Sequence, residues 1–214
     1  MLKLVSGHFV KNEAHCIKMM LDSIRLYIKD NYFLIDDTTT DNTKEILDSM
    51  GCHTKYFTFE NFGKTWNTLL YWLKGKSDWT FVISPDECIT PDFGEMFEPL
   101  LAEIHESKVD GVWFPRRHWE DLEMKREYTK QNWYPDWQLR LLRNDFPRIH
   151  LIHYVHEWPA GLRQQIRIER DLHHFNMYWK PRIEYDFDKM NRLYSSLQQK
   201  QNQDGGWDIW PNDM

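Results

Sequence analysis

Two adjacent carboxylates, Asp86 and Glu87, directly follow a short apolar run in the middle of the chain. The run at 79–83 is β-branched and aromatic without polar alternation, which predicts a strand buried on both faces. Ser84 and Pro85 would end this strand, because proline cannot donate to a central ladder. Open α/β sheets bind ligands at the carboxyl ends of their strands. We therefore predict Asp86 as a ligand of Mg²⁺ or Mn²⁺, which prefer carboxylates; a solvated turn is the alternative.

A second acid and a lysine stand at positions suited to a nucleotide. Asp37 follows the second predicted strand, at the same edge of the sheet as Asp86. A carboxylate there can accept from a ribose hydroxyl or a base N–H, and capping of the next helix is its alternative role. Lys64 lies at the start of a predicted helix, whose free backbone N–H groups could hold a phosphate. A solvent-facing lysine is the alternative there.

The segment 133–138 places one acid among aromatic side chains, since Trp133, Tyr134 and Trp137 flank Asp136. Aromatic rings present an apolar face to a sugar ring. A carboxylate beside them could deprotonate a sugar hydroxyl, and general-base help is worth roughly 10²–10⁴-fold. An aromatic-rich hairpin corner is the alternative.

Histidines and arginines of the second half are further candidates. The histidines that could complete a metal shell are His153, His156, His173 and His174. A lone histidine is more often a structural group. The arginines that could contact a phosphate or an acceptor are Arg116, Arg117 and Arg140, with surface salt bridges as the alternative.

The elements that position these residues alternate between strand and helix over residues 1–110. The strands are predicted at 3–10, 32–35, 52–59 and 79–83, with helices opening near 12, 43, 61 and 90. Right-handed crossovers then give an α/β fold with a doubly wound, mostly parallel central sheet flanked by helices. Strand patterns at 111–117, 138–142, 149–155 and 165–168 predict a smaller mixed or antiparallel part.

We divide the chain into one domain at 1–180, with halves 1–110 and 111–180, and a C-terminal helix at 181–203. Residues 204–214 are predicted as a tail or linker, which leaves room for further domains in a longer natural chain.

Bulk composition excludes several classes of protein. A length of 214 residues and a hydrophobic content of 41% suit one cored domain. The net charge of −6 argues against a sequence-independent nucleic-acid binder. Three scattered cysteines do not form a disulfide framework. No signal peptide and no apolar stretch of about 18–20 residues stands out, so we expect a soluble cytoplasmic protein without a membrane span.

The order and spacing of these motifs resemble the family-2-like glycosyltransferases of the GT-A fold over about residues 1–180. The matching segments are Val5-Ser6-Gly7 to Lys11-Asn12-Glu13, the stretch 36–43 (like Asp-Asp-Gly-Ser-Thr-Asp-x-Thr), Lys64-Thr65-Trp66-Asn67, and Ser84-Pro85-Asp86-Glu87 at the DxD position. Segments 133–141 and 155–157 resemble the subgroup that glycosylates surface polysaccharides. The chain also looks like glycosyltransferase modules of large algal DNA viruses.

This resemblance implies a nucleotide-sugar donor, most often a UDP-sugar, a saccharide or glycan acceptor, and Mn²⁺ or Mg²⁺. The residues it implies for the nucleotide sugar are Ser6, Gly7, Glu13, Asp37, Lys64, Trp66, Asn67 and Pro85. For the metal it implies Asp86, and we add His156. For the acceptor it implies Glu87, Trp133, Tyr134, Trp137, Arg140 and Trp158.

The chain departs from the family pattern in three ways. Ser84 replaces the first acid of DxD, so metal binding rests on Asp86. Thr38 replaces a glycine, so that turn must avoid positive φ. The Glu-Asp motif of many inverting members has no clear match. Asp136 or Glu157 could substitute as the catalytic base and give inversion; if neither reaches the acceptor, a retaining mechanism without an enzymatic base follows.

Two rival functions share some of these features. A nucleotidyltransferase acting on sugar phosphates would use the sheet and the metal acid, but it usually carries a glycine-rich basic loop after the first strand, where residues 6–11 hold one glycine. A non-catalytic carbohydrate-binding module would explain the aromatic residues but needs neither the βα units nor Asp86.

Overall fold

The computed structural model describes residues 2–183 and 185–204. In chain order the strands are β1 (Leu4–Val10), β2 (Asp30–Asp36), β3 (His53–Phe57), β4 (Trp79–Val82), β5 (Glu87–Cys88), β6 (Val109–His118), β7 (Asp136–Arg143), β8 (His150–Ile152), β9 (Trp158–Ala160), β10 (Gln164–Arg167) and β11 (Leu172–His174). The helices are α1 (Ile17–Ile24), α2 (Thr43–Ser49), α3 (Phe62–Leu73), α4 (Pro91–Glu95), α5 (Phe97–Ile104), α6 (Asn176–Trp179) and α7 (Phe187–Asp204), with a 3₁₀ turn at Lys180–Arg182.

The first half forms the parallel part of the sheet, as the alternating pattern predicts. Strands β3, β2, β1 and β4 lie side by side in that order, and every pair among them is parallel. Helices α1, α2 and α3 connect these strands, because parallel neighbours require crossovers. The carboxyl ends of β1, β2 and β4 therefore meet at one edge of the sheet.

Helix α1 begins later than the sequence predicts. Asn12 adopts the left-handed region with a φ of 56°, which asparagine tolerates better than most residues. Its Oδ1 accepts from the backbone N–H of Thr40 at 2.8 Å. The loop after β1 is thus fastened to the loop after β2, and the helix starts only at Ile17.

The second half extends the same sheet with a change of direction. Strand β7 lies antiparallel between β4 and β6. Strands β10 and β11 run parallel to β6, and β5 pairs antiparallel with β11. A separate antiparallel pair is formed by β8 and β9. The predicted fold class, a mostly parallel α/β sheet with a smaller antiparallel part, is confirmed; β5, β9 and β11 were not predicted.

The C-terminal helix packs on the small β8–β9 sheet. Leu197 of α7 is buried with Ile152, Tyr154 and Val155. The Gln201 Oε1 accepts from the backbone N–H of Tyr154 at 2.7 Å. The predicted tail from 204 onwards lies outside the described residues apart from its first position. Among the helices of residues 2–183 and 185–204, none is long and apolar enough to cross a membrane.

Candidate active site

The turn after β4 carries Asp86 to the edge of the sheet. β4 ends at Val82, before the proline that cannot continue the ladder. The carboxylate of Glu87 accepts from the backbone N–H of Ser84 at 2.9 Å and holds the turn closed. Pro85 lies half-buried in this turn. Asp86 is left with its Oδ2 at 3.0 Å from Nε2 of His174.

His174 reaches Asp86 because β11 lies between β6 and β5. In this register His174 pairs with Glu87 on one side and with His118 on the other. The predicted metal ligand His156 lies elsewhere, beside the ring of Tyr194 on α7 at 5.9 Å between centroids. The histidine that the structure brings to Asp86 is therefore His174.

A continuous series of polar contacts runs from Asp86 to Asp136. The Nδ1 atoms of His174 and His118 are 3.1 Å apart. The Nε2 of His118 lies 3.1 Å from Oδ2 of Asp136. Both imidazoles are buried, so these contacts are shielded from water and fix the ring orientations.

Glu87 is enclosed beneath this series and does not face an acceptor. Its Oε1 accepts from Arg140 at 2.8 Å and from Arg116 at 3.2 Å, and its side chain is fully buried. Burial alone would raise the pKa of Glu87, but the charges of Arg140 and Arg116 outweigh it and lower the pKa to about 2. The predicted acceptor contacts Glu87 and Arg140 instead neutralise each other inside the protein.

Asp136 is occupied by three donors. Arg116 donates to its Oδ2 from Nε at 2.8 Å, Gln138 donates to its Oδ1 at 2.7 Å, and His118 stands at Oδ2. Burial would raise the pKa of Asp136, but the contact with His118 and the charge of Arg116 hold it far below its usual range. A carboxylate bound in this way is a weak base, so these contacts disfavour the predicted role of Asp136 in deprotonating an acceptor, which stays a prediction.

Glu13 stands near Asp86 at the carboxyl end of β1. Burial raises the pKa of Glu13 to about 8, and the negative charge of Asp86 adds to this effect. Ligand atoms of His15 and Cys16 lie within 4.8 Å of Glu13 and of each other. Burial also raises the pKa of the Cys16 thiol, so it stays protonated and is a poor metal ligand.

Lys180 supplies a positive charge that the sequence did not single out. Burial lowers the pKa of its ammonium, and the nearby charge of Asp86 opposes that effect. The ammonium lies over the ring of Tyr185 at 4.8 Å from the centroid. The 3₁₀ turn before α7 thus brings a cation close to the acidic edge of the sheet.

Two predicted nucleotide contacts, Asp37 and Lys64, have different environments. Asp37 is exposed at the carboxyl end of β2, where its Oδ2 accepts from Thr58 at 2.5 Å. Lys64 pairs with Glu60 at 2.6 Å in the first turn of α3. The backbone N–H of Lys64 is taken by Oδ1 of Asn61 at 2.8 Å. This capping removes one of the free N–H groups expected there.

Three other predicted nucleotide contacts are inside the protein. The Ser6 hydroxyl donates to Asn31 at 2.7 Å. A Cβ on Gly7 would stand 3.1 Å from Leu69, so Gly7 allows α3 to pack closely on β1. Asn67 exchanges two hydrogen bonds of 2.8 Å with the backbone of Leu151. Their burial and their contacts within the protein give them structural roles, and a direct nucleotide contact by them stays a prediction.

Trp66 and Glu157 contact each other. The indole Nε1 of Trp66 donates to Oε1 of Glu157 at 2.9 Å, and its ring packs edge-on against Phe9. The predicted nucleotide contact and the predicted base therefore join α3 to the segment before β9.

The predicted acceptor aromatics divide between the two faces of the sheet. The ring of Trp133 lies 4.9 Å from that of His118, beside the polar series. Tyr134 donates to Asp171 at 3.1 Å. Trp137 follows Asp136 in β7, so its side chain leaves the opposite face. There Trp137 and Trp158 line a groove of about 390 Å³ together with Trp113, Gln165, Ile166 and Arg167.

A sequence model described as Glycosyl transferase family 2 matches residues 9–169. The chain belongs to this family. No curated protein matches the chain. Several solved structures resemble this chain in fold at low sequence identity.

Glucosyl-3-phosphoglycerate synthase from Mycobacterium tuberculosis, in complex with Mn²⁺, UDP and glucosyl-3-phosphoglycerate, is similar at a TM-score of 0.59 and 11% identity, over 99% of this chain and 82% of that one. A mycobacterial protein has a TM-score of 0.54 and 11% identity over 81% of this chain and 67% of that one. S. aureus TarS 1–349 in complex with UDP-GlcNAc has a TM-score of 0.48 and 14% identity over 67% of this chain. The chain spans 46% of the length of that TarS structure.

Proposed function

We propose that this family member transfers a sugar from a nucleotide sugar, a UDP-sugar, to a hydroxyl of a saccharide acceptor with the help of Mn²⁺ or Mg²⁺. The observation that supports this proposal is the pairing of Asp86 with His174 at the carboxyl end of β4. The similar synthase was solved with Mn²⁺ and UDP, which agrees with this choice of ligands.

The donor atoms of Asp86 and His174 fit one divalent cation. Two neighbouring ligands about 2.1 Å from an octahedral ion stand about 3.0 Å apart. The Oδ2 and Nε2 atoms are separated by 3.0 Å. A carboxylate and an imidazole suit Mn²⁺, and diphosphate oxygens and water would complete the shell. When bound, the ion would supply Lewis-acid neutralisation of the diphosphate leaving group.

The other ionisable groups at this edge of the sheet suit a bound nucleoside diphosphate. Lys180 would pair with its phosphate oxygens, since its ammonium lies near Asp86 and is held over Tyr185. Because the pKa of Glu13 is raised to about 8, its carboxyl group would stay largely protonated below pH 8. It would therefore not repel the diphosphate. Exposed Asp37 would accept from the ribose or uracil.

The stereochemical course depends on which acid reaches the acceptor. Asp136 is bound by its three donors, so Glu157 is the better candidate for a base that gives inversion. A retaining reaction without an enzymatic base is the alternative. The anomeric configuration of the first-formed product, read by NMR, distinguishes the two.

The tryptophan groove would hold a more distant part of the saccharide. Trp113 and Trp158 present rings 6.3 Å apart, and Arg167 lies over the ring of Trp137 at 5.0 Å. Indole faces suit sugar rings, and Gln165 and Arg167 provide polar groups at the rim. A carbohydrate-binding module without catalysis would use the same groove but would leave Asp86 and His174 without a role.

The first test is the melting temperature with UDP, GDP and CMP, each with and without Mn²⁺. Ligand at a hundredfold excess over its Kd adds about 2.7 kcal/mol, which is roughly 5–10 °C for a chain of this size. We expect UDP to stabilise only with Mn²⁺, and Asp86→Ala and His174→Ala to abolish the shift. Asp92→Ala, which removes an exposed acid of α4, should retain it. No shift with any saturating nucleotide would rule out the proposed site.

A further inference from the structure

His118 and Asp136 form a series of contacts behind His174, on the side away from Asp86. His174 Nδ1 lies 3.1 Å from His118 Nδ1, and His118 Nε2 lies 3.1 Å from Asp136 Oδ2. The amide oxygen Oδ1 of Asn176 lies farther from the same nitrogen of His118, at 3.4 Å. Three elements position the series, because β11, β6 and β7 each contribute one member.

Asp136, at the end of the series away from Asp86, fixes the direction of its hydrogen bond with His118. Asp136 is a carboxylate, fixed by Arg116 and Gln138, and it can only accept. His118 must therefore donate from Nε2, and in its neutral form its Nδ1 is the atom that can accept from His174. In the structure Nε2 of His174 faces the Asp86 carboxylate, which can only accept. With a cation on Nε2 instead, His174 would carry its hydrogen on Nδ1 and would donate it to Nδ1 of His118.

We propose that His118 and Asp136 are positioning residues that fix the tautomer and the ring orientation of His174, so that Nε2 is directed at the cation beside Asp86. The proposal rests on the proposed function, since it concerns the same cation. Histidines that bind metals commonly donate their other N–H to an acceptor, and loss of that acceptor costs about 10–100-fold in metal affinity.

The environment explains why this acceptor is needed. His118 is 3% exposed and His174 is 6% exposed, so water cannot replace a lost partner. Without His118, the ring of His174 could turn or carry its hydrogen on Nε2, where it would exclude a cation.

The test measures Mn²⁺ affinity directly, with saturating UDP, from the electron paramagnetic resonance signal of free Mn²⁺. We expect His118→Phe, which keeps a ring but offers no acceptor, to weaken Mn²⁺ binding 10–100-fold. His118→Asn, whose Oδ1 can accept in place of Nδ1, should recover part of this loss. Asp136→Asn should weaken binding by about tenfold, since its amide can no longer fix the direction of the bonds.

His173→Phe is the matched control. His173 neighbours His174 in β11, but it accepts from the indole of Trp119 at 2.9 Å and belongs to the other face of the sheet. It should leave Mn²⁺ affinity unchanged. Melting temperatures of all variants show which are folded, and if His118→Phe is not folded, Asp136→Asn alone decides the outcome.

A second readout is the tautomer of His174. With Mg²⁺ and UDP bound, ¹⁵N chemical shifts should show the hydrogen on Nδ1 in the wild type and a mixture in Asp136→Asn. If the wild type binds Mn²⁺ and the folded variants bind it equally well, the positioning role is wrong while the cation site stands. If the wild type binds no Mn²⁺ with UDP, the proposed function itself fails.

Discussion

Glu13 is a partly buried acid whose ionisation opposes folding. Its folded pKa is raised to about 8 from an ordinary value of 4.5, so the stability it contributes is complete below pH 4.5 and is lost as the pH rises through 8. Glu13→Gln removes this titration. Between pH 6 and pH 9 we expect the wild type to lose on the order of 1–3 kcal/mol more than Glu13→Gln.

Melting temperatures of the two proteins at pH 6, 7, 8 and 9, without metal or nucleotide, check this expectation. All other titrating groups are shared, so the difference between the curves isolates Glu13. Parallel curves would show that Glu13 is ionised in the folded protein throughout the range.

At the residue scale, the sequence indicates which residues are candidates for the site better than it indicates which side chains contact them. Asp86 stands out as a candidate because a proline and two acids follow an apolar strand. His174 could not be chosen over three other histidines, because its contact with Asp86 depends on β11 lying between β6 and β5. Asp136 was identified as a candidate, but its contacts with Arg116, Gln138 and His118 could not be, since the pairing that places Arg116 beside it is not visible in the chain.

At the element scale, Asn67 joins α3 to β8. Asn67→Ala would leave the N–H and C=O of Leu151 without partners in a buried place. Each unsatisfied group costs about 1–3 kcal/mol, so we expect a loss of roughly 2–5 kcal/mol in the free energy of unfolding, measured by urea titration. Asn191→Ala, on the exposed face of α7, should stay within about 0.5 kcal/mol.

The same variants separate a structural role from a nucleotide contact. At a temperature where Asn67→Ala is folded, its Kd for UDP with Mn²⁺ should match that of the wild type. Normal stability with lost UDP binding would instead restore the nucleotide contact that the sequence predicts.

Elements with long periodic patterns were predicted, and three of the shortest strands were not. The stripes of α1, α3 and α5 and the apolar runs of β1, β2 and β4 each carry a local signal. β5, β9 and β11 have two or three residues each, too few for a pattern to develop, and their existence depends on partners far away in sequence.

At the scale of the whole molecule, the sheet separates a charged edge from a tryptophan groove. Trp158 is 59% exposed in that groove. We expect neutral oligosaccharides (cello-, malto- and chitohexaose) to change the intrinsic tryptophan fluorescence saturably and independently of UDP and Mn²⁺. Trp158→Ala should weaken this binding by about 5–50-fold, equivalent to about 1–2 kcal/mol per lost stacking contact.

Two comparisons make this prediction specific. Tyr56→Ala removes an aromatic side chain of β3 that is 54% exposed and should bind the oligosaccharides normally. The UDP and Mn²⁺ affinities of Trp158→Ala should be unchanged, because distant sites act independently. Equal oligosaccharide binding by Trp158→Ala and the wild type would argue against the groove as a sugar site.

The antiparallel strand β7 also limits how the molecule can move. It pairs with β4 at Trp79 and Arg143 and with β6 at Gly111 and Leu142, so one hydrogen-bonded ladder crosses from the first half to the second. A hinge between the halves would have to break that ladder. Motions that keep this ladder intact are therefore confined to the loops and helices around the sheet, and the sheet itself moves as one rigid unit.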